Sequence, residues 1–400
     1  MLARKLQPNE NYLSRRNMAV AFEGEFDFEK ELEKSKTEQP DPLSDHWGAF
    51  LGSPQDPVAS VVMNKMDVRF DGHVVKMGGV GGVSTLPGYR RGGLIRACME
   101  ASHRALYEEG FVLSALYPFS TAFYRQFGYE NGALTYAWTI PIKDLPKEDV
   151  GGRVYQLLPG DDLSPLLQVY NAFYESVNLA PLREEYSSEL REKNFLDQKR
   201  SIFVWEDEAG TPGAFLIGGR KGDTLNCRTD FAEKNGLLFT SPRALLGLLS
   251  FVRTAFIANF ETLFFAAPAF ADLSPLLPET TGVECKAFPN GMVRVVNAER
   301  ALALCRCRGE GAVTVEVTDP MLPENNGVFR VQFAPEKENL VAKGAFPPDI
   351  VLPIQAFSVL LCGVRGMEDA PYLQGVEVKN ADAPLDSLFY KKPCHILNLF

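Results

Sequence analysis

Four histidines in 400 residues, scattered at His46, His73, His103 and His395, leave little material for a metal centre. Zinc sites draw Cys and His ligands from short, repeated spacings, and only Cys305-Arg306-Cys307 brings two cysteines close together in sequence. No metal is expected. The seven cysteines, odd in number and irregularly spaced, suit reduced thiols better than a disulfide framework. No apolar run approaches the ~20 residues of a membrane-spanning helix, so no membrane insertion is expected. The basic start, Met1 to Leu6, is followed by no apolar stretch, which argues against a secretory signal and for a cytoplasmic location. Positive charge is also in deficit: 41 Lys and Arg against 51 Asp and Glu give a net charge of −10. That field disfavours nucleic acid and mildly favours cationic small molecules or basic peptides. The common nucleotide motifs are missing too. There is no Gly-Lys-Ser/Thr, and Gly79, Gly81 and Gly82 miss the dinucleotide spacing because position 84 is Ser.

The chain is long enough for two or three domains, each with its own core. From about Asn11 to Ile142 short strands alternate with helices, which predicts an α/β or α+β unit. Pro141 to Gly152 is polar, ends in a double glycine and reads as a linker. Beyond it lie strand-like runs at Ser201–Trp205, Ala214–Gly218 and Thr262–Ala266, with helices over Leu163–Val177 and Pro242–Ala258. A third unit from about Val293 is expected to open with a helix through Ala298–Leu304. Strands Val313–Val317 and Gly327–Phe333 follow, then a helix over Pro353–Leu361.

The sharpest local signal is Arg90-Arg91-Gly92-Gly93-Leu94-Ile95, a basic glycine turn. A glycine-rich strand, Val74 to Thr85, precedes it, and an amphipathic helix from about Gly93 to Glu109 follows. A helix N-terminus offers unpaired N–H groups and partial positive charge, glycines let a diphosphate approach the main chain, and guanidinium groups add charged donors. A surface turn with two solvated arginines is the plainer reading of the same residues. Phe111 to Tyr117 then reads as a buried strand and Ser120 to Gln126 as a short helix.

Val83-Ser84-Thr85-Leu86-Pro87 leading into Arg90-Arg91-Gly92-Gly93-Leu94 resembles the acetyl-CoA-binding motif of GCN5-related N-acetyltransferases. With Tyr124-Arg125-Gln126-Phe127-Gly128-Tyr129 and a terminal Phe400, the whole chain resembles the Eis (enhanced intracellular survival) acetyltransferases. The resemblance implies two acetyltransferase-type α/β domains in tandem, residues 1–145 and 146–291, the second without the CoA motif, and a sterol-carrier-like domain over 292–400. It implies acetyl-CoA as co-substrate, with Val83 and Thr85 along the pantetheine arm. Arg90, Arg91, Gly92, Gly93, Leu94 and Ile95 would lie around the diphosphate, and Ser120 would be a further contact. Tyr124 corresponds to the general acid, Tyr129 to a structural residue, and the α-carboxylate of Phe400 to the base. An exposed α-carboxyl, pKa about 3.3–3.7, is a weak base until burial raises it, and Ile396 to Phe400 is apolar enough to be buried.

The acceptor implied is a primary amine (aminoglycoside, polyamine or protein lysine), and the assembly a homo-hexamer. Glu23, Glu25, Asp27 and Glu29 form an acidic run that reads first as a solvated helix face, and Trp47 and Phe50 read as core. Two other functions fit the same residues: a non-catalytic acyl-CoA or lipid sensor, and an acyltransferase for a longer acyl-CoA. Leu352 to Gly363 resembles the late helix of sterol-carrier domains, whose relatives hold lipids.

Overall fold

A computed structural model describes every residue except 1, 54, 185–194, 198, 228–235, 336 and 398–400. Its contacts divide into two compact units, one comprising residues 1–132 and 291–392 and the other residues 133–290 with the segment from 393.

In the first unit β1 (Leu2–Lys5), β2 (Ser44–Phe50), β3 (Pro57–Phe70) and β4 (His73–Thr85) form an antiparallel run, with α1 (Asn11–Phe22) and α2 (Phe28–Ser35) between β1 and β2. α3 (Leu94–Glu108) crosses over to β5 (Leu113–Leu116), which lies parallel to β4, and α4 (Thr121–Arg125) and β6 (Glu130–Asn131) follow. The helical spacing seen in the sequence is the face α3 buries: Leu94, Cys98, Met99, Ser102 and Leu106 pack against Val61, Met63, Val80 and Leu116. Trp47 and Phe50 are buried in this unit as expected.

The second unit contains β7 (Leu134–Pro141), β8 (Arg153–Leu157), α5 (Ser164–Tyr174), β9 (Arg200–Glu206), β10 (Pro212–Lys221) and β11 (Thr224–Asn226). It continues through β12 (Leu237–Phe239), α6 (Pro242–Phe256), β13 (Thr262–Pro268) and β14 (Glu284–Pro289). Its sheet runs β14-β7-β13-β11-β10-β9-β8, with β12 paired to β10. The expected linker starts as core instead. β7 pairs with β13 and β14, and Ile142 and Leu145 are fully buried in this unit, so the division falls at 132/133 and not at 145.

The chain then returns to the first unit. β15 (Met292–Val295), expected only as the approach to a third domain, inserts between β5 and β6. A separate five-stranded sheet holds β16 (Gly311–Thr318), β17 (Gly327–Phe333), β18 (Leu340–Lys343), β19 (Ile350–Pro353) and β20 (Glu377–Val378), in the order β18-β17-β16-β19-β20. It is accompanied by α7 (Ala298–Leu304), α8 (Ile354–Leu361) and α9 (Leu385–Leu388). Ser358 of α8 accepts the Val295 N–H at 2.8 Å, which joins the helix to β15.

Arg294 of β15 is fully buried and pairs with fully buried Asp319 at 2.5 Å, while its other arm donates to the Phe127 carbonyl. Asp319 also accepts from Asn325 Nδ2 at 2.9 Å and from the Met321 N–H at 3.0 Å. Gly128, at φ 84, passes so close that a Cβ there would lie 1.8 Å from Arg294 Nη1. Breaking a buried ion pair leaves an uncompensated charge and costs about 3–5 kcal/mol. Gly128→Ala and Arg294→Met are each expected to lower stability by about that amount in urea unfolding. A loss under about 1 kcal/mol would show that the pair does not hold this turn.

Candidate active site

β4 and β5 pair only as far as Val80 and Leu116, whereas β4 continues to Thr85. Residues 81–85 therefore have no strand on that edge among the described residues. On its other edge β4 carries a bulge, with Gly82 and Val83 opposite Val61 between the pairs Ser60–Ser84 and Val62–Gly81. Such a bulge takes main-chain groups out of the ladder and turns the strand. The parting strands open a cavity of about 570 Å³.

What stops the unzipping at residue 80 is a buried polar chain behind it. His103 of α3 donates from Nδ1 to the Met99 carbonyl at 2.7 Å; a carbonyl only accepts, so the proton sits on Nδ1. Its Nε2 accepts from Tyr129 Oη at 2.7 Å. Ser114 Oγ of β5 lies 2.5 Å from that phenol and 2.7 Å from the Gly78 carbonyl of β4. Tyr129 is thus structural, as expected.

The turn Arg90–Gly93 follows the bare strand. Arg91 and Gly93 both adopt left-handed φ, 67 and 75 respectively. Gly93 can do so without a Cβ penalty, while Arg91 is held there at a cost on the order of 1–3 kcal/mol. Left-handed residues of this kind aim successive N–H groups into one concavity, a geometry suited to anions. Gly93 is also the N-cap of α3, and no side chain caps the helix. Arg90 and Arg91 are exposed and, among the described residues, have no ion-pair partner. Arg96 is different: it donates to Gln126 Oε1 at 2.6 Å and lies over the Phe127 ring at 5.2 Å.

Of the residues expected from sequence, Val83, Thr85, Arg90, Arg91, Gly92, Gly93, Leu94 and Ile95 all line this cavity. Ser120 and Tyr124 do not. Ser120 Oγ caps α4 by accepting the Phe123 N–H at 3.3 Å. Tyr124 is buried directly behind the wall, edge-on to Phe119 at 5.3 Å and Phe123 at 5.2 Å, both of which line the cavity. Burial pushes its phenol pKa well up, so it keeps its proton. Phe400 lies outside the described residues. Ala21, Phe22, Phe119, Phe123, Gln126 and Phe127 also line the cavity and were not singled out from sequence. Phe119 and Phe22, 72% and 62% exposed, stand at its apolar side, and their exposure has no signature in the sequence. The acidic residues Glu23, Glu25 and Glu29 are exposed, and Asp27 caps α2 by accepting the Lys30 N–H at 3.1 Å.

The second unit repeats the arrangement of strand, helix and parallel strand in β11–β13, without this site among the described residues. α6 is capped by Ser241, whose hydroxyl accepts the Ala244 N–H at 3.2 Å, and Pro242 occupies its first turn. Among the described residues no group of His, Cys, Asp and Glu could hold a metal, and no helix is long and apolar enough to cross a membrane.

An uncapped helix start beside uncommitted guanidinium groups is a setting that favours an anionic ligand, and the bare strand edge next to it is open to an extended one. Residues 3–132 match the family model for the acetyltransferase (GNAT) domain, and residues 298–396 match that for the sterol carrier protein domain. The chain is an α/β protein and an acetyltransferase enzyme. Among solved structures it is similar to a protein of Enterococcus faecalis described as a probable N-acyltransferase (21% identity, 100% of this chain and 99% of that one, TM-score 0.85). It is also similar to a GCN5-related N-acetyltransferase of Anabaena variabilis (17%, 100% of both chains, TM-score 0.80) and to Eis1 of Mycobacterium abscessus (17%, 100% of both, TM-score 0.78). At such identities the likeness is one of fold. A search of the curated proteins gives no match.

Burial, and secondarily the Arg294 charge, lowers the His103 pKa to about 3. Because the unfolded imidazole, pKa about 6.5, binds the proton first, stability is full above pH 6.5 and falls as pH drops toward 3, by up to about 1.4 kcal/mol per pH unit. His103→Gln should flatten that part of the curve in denaturant titrations run from pH 7 to 4. An unchanged slope would show that the imidazole is not buried in its neutral form.

Proposed function

We propose that the chain is an acetyl-CoA-dependent N-acetyltransferase of the Eis type that acetylates primary amines by direct attack. One observation carries this reading: a single cavity contains the uncapped start of α3, the free-standing guanidinium groups of Arg90 and Arg91, and the unpaired edge of β4. Acetyl-CoA would supply the activated acyl group. The N–H groups from Gly92 to Ile95, with Arg90 and Arg91, suit its diphosphate. The edge at Val83 and Thr85 suits the amides of the pantetheine arm, much as a sheet edge accepts an added strand.

Val83 N–H would polarise the acyl carbonyl as the amine attacks, which is the role of an oxyanion donor. Tyr124, kept protonated by burial, would give its proton to the departing sulfur. The α-carboxylate of Phe400 would accept the amine proton. The described tail before it is well held: Cys394 to Leu397 are buried, and the Ile396 carbonyl accepts from Asn290 Nδ2 at 2.8 Å. No acyl-enzyme is proposed, since Cys98 on the buried face of α3 has its thiol pKa pushed up to about 12 by burial. The net charge of −10 favours a cationic acceptor such as an aminoglycoside, a polyamine or a lysine side chain, and the proposal includes a homo-oligomer.

Isothermal calorimetry with CoA is expected to give one site per chain, because Ser241 already occupies the start of α6. Arg90→Ala and Arg91→Ala should each weaken binding about tenfold, as losing one charged hydrogen bond would. In an amine-panel assay Tyr124→Phe should cut kcat by about 10²–10⁴ with CoA affinity kept, and appending one residue after Phe400 should do likewise. Two equivalent CoA sites, or arginine variants that bind as the parent does, would contradict the reading. CoA binding without transfer to any amine would point to a sensor.

A further inference from the structure

Cys305 and Cys307, the closest pair of cysteines in the chain, have no part in acyl transfer. Cys305 is the C-cap of α7, at φ −67 and ψ 141, so the chain leaves the helix extended and carries Cys307 to a half-buried position. The Cys307 thiol turns back and donates to the Cys305 carbonyl at 3.9 Å. Residues two apart are separated by no more than about 7 Å, close to the ~4.4–6.8 Å that a disulfide spans.

The surroundings are unlike those of a structural cysteine. Asn339 Nδ2 donates to the Cys305 carbonyl at 2.7 Å and approaches Cys305 Sγ at 3.5 Å. The Lys392 ammonium, only 5% exposed, lies near both sulfurs and is paired with Asp71 at 2.5 Å. Asp71 also accepts the Arg306 N–H at 2.7 Å, which fixes the residue between the cysteines. The sulfur pair therefore adjoins the contact that ties the β3–β4 turn to the segment ending at Lys392.

We propose that Cys305 and Cys307 are a redox-active dithiol, which hydrogen peroxide converts reversibly to an intramolecular disulfide. The neighbouring Cys305 thiol, with the Lys392 charge and Asn339, lowers the Cys307 thiol pKa, while Cys307 and burial hold that of Cys305 well above the usual range. One sulfur is thus ready as thiolate and the other keeps its proton. Cys98, Cys227, Cys285 and Cys362 are all shifted up, mainly by burial. In the reaction Cys307 thiolate attacks one peroxide oxygen, the O–O bond breaks, and a sulfenic acid forms as hydroxide leaves and takes a proton to become water. Cys305 sulfur then attacks the sulfenic sulfur. The S–S bond forms, the S–O bond breaks, and the Cys305 proton leaves with the hydroxide as a second water. Two thiols lose two electrons and two protons, and one peroxide becomes two waters.

The test treats the full chain with graded peroxide, alkylates it under denaturing conditions and maps the peptides by mass spectrometry, with exposed Cys285 as internal reference. The expected product is a 305–307 disulfide that forms at least about tenfold faster than Cys285 oxidises, reflecting the larger thiolate fraction. Dithiothreitol should restore both thiols. Cys307→Ser should abolish the product and leave the Cys285 rate unchanged. The proposal fails if both thiols remain alkylatable after Cys285 is consumed, if the bridge forms to Cys362 instead, or if Cys307 proceeds to sulfinic acid without bridging.

Discussion

The parting of β4 from β5 is the constraint on which the site depends. The strands are held together through Gly78 and Ser114 by a buried chain that runs on to Tyr129 and His103, and they separate past Val80 and Leu116. Were they paired to their ends, the edge at 81–85 would be spent on ladder bonds and the N-terminus of α3 would face a closed sheet. The floor is fixed just as firmly. Arg294, delivered from late in the chain, ties the Phe127 carbonyl to Asp319, so the aromatic wall of Phe119, Phe123 and Phe127, with Tyr124 behind it, rests on a buried ion pair. A buried pair of this kind contributes less to net stability than to the uniqueness of the arrangement, since an apolar pair of equal volume would serve stability as well.

The two halves of the chain differ in how their corresponding helices begin. α3 and α6 have the same length and each leads into a strand that runs parallel to an earlier one. α6 satisfies one amide of its first turn, that of Ala244, with Ser241, whereas α3 has no side-chain cap behind its left-handed glycine. Four orphan N–H groups are a liability in a helix without a ligand.

Local features were legible from sequence because their causes are local. The periodicity of Leu94, Cys98, Met99 and Leu106 defines α3, and the glycine turn marks its start within a residue. Ser120 and Gln126 likewise bracket α4. What could not be read depends on distant partners. Met292–Val295 draws no strand assignment from sequence, and nothing in those four residues says that they enter a sheet built from residues before 132. β7 has the same ambiguity, and its pairing with β13 and β14 moved a boundary. Arg294 has the sequence appearance of a solvent-facing residue and is fully buried. Ala21 and Phe22 reach the cavity from α1, some sixty residues before the motif, and no spacing rule links them to it.

The most direct test is amide hydrogen exchange with and without CoA, resolved to short peptides. The account predicts slowed exchange at 81–85 and at 92–96, where unpaired main-chain groups acquire a ligand, and no change at the already capped start of α6. Unaltered exchange at both of those segments, or equal protection at 242–245, would contradict it.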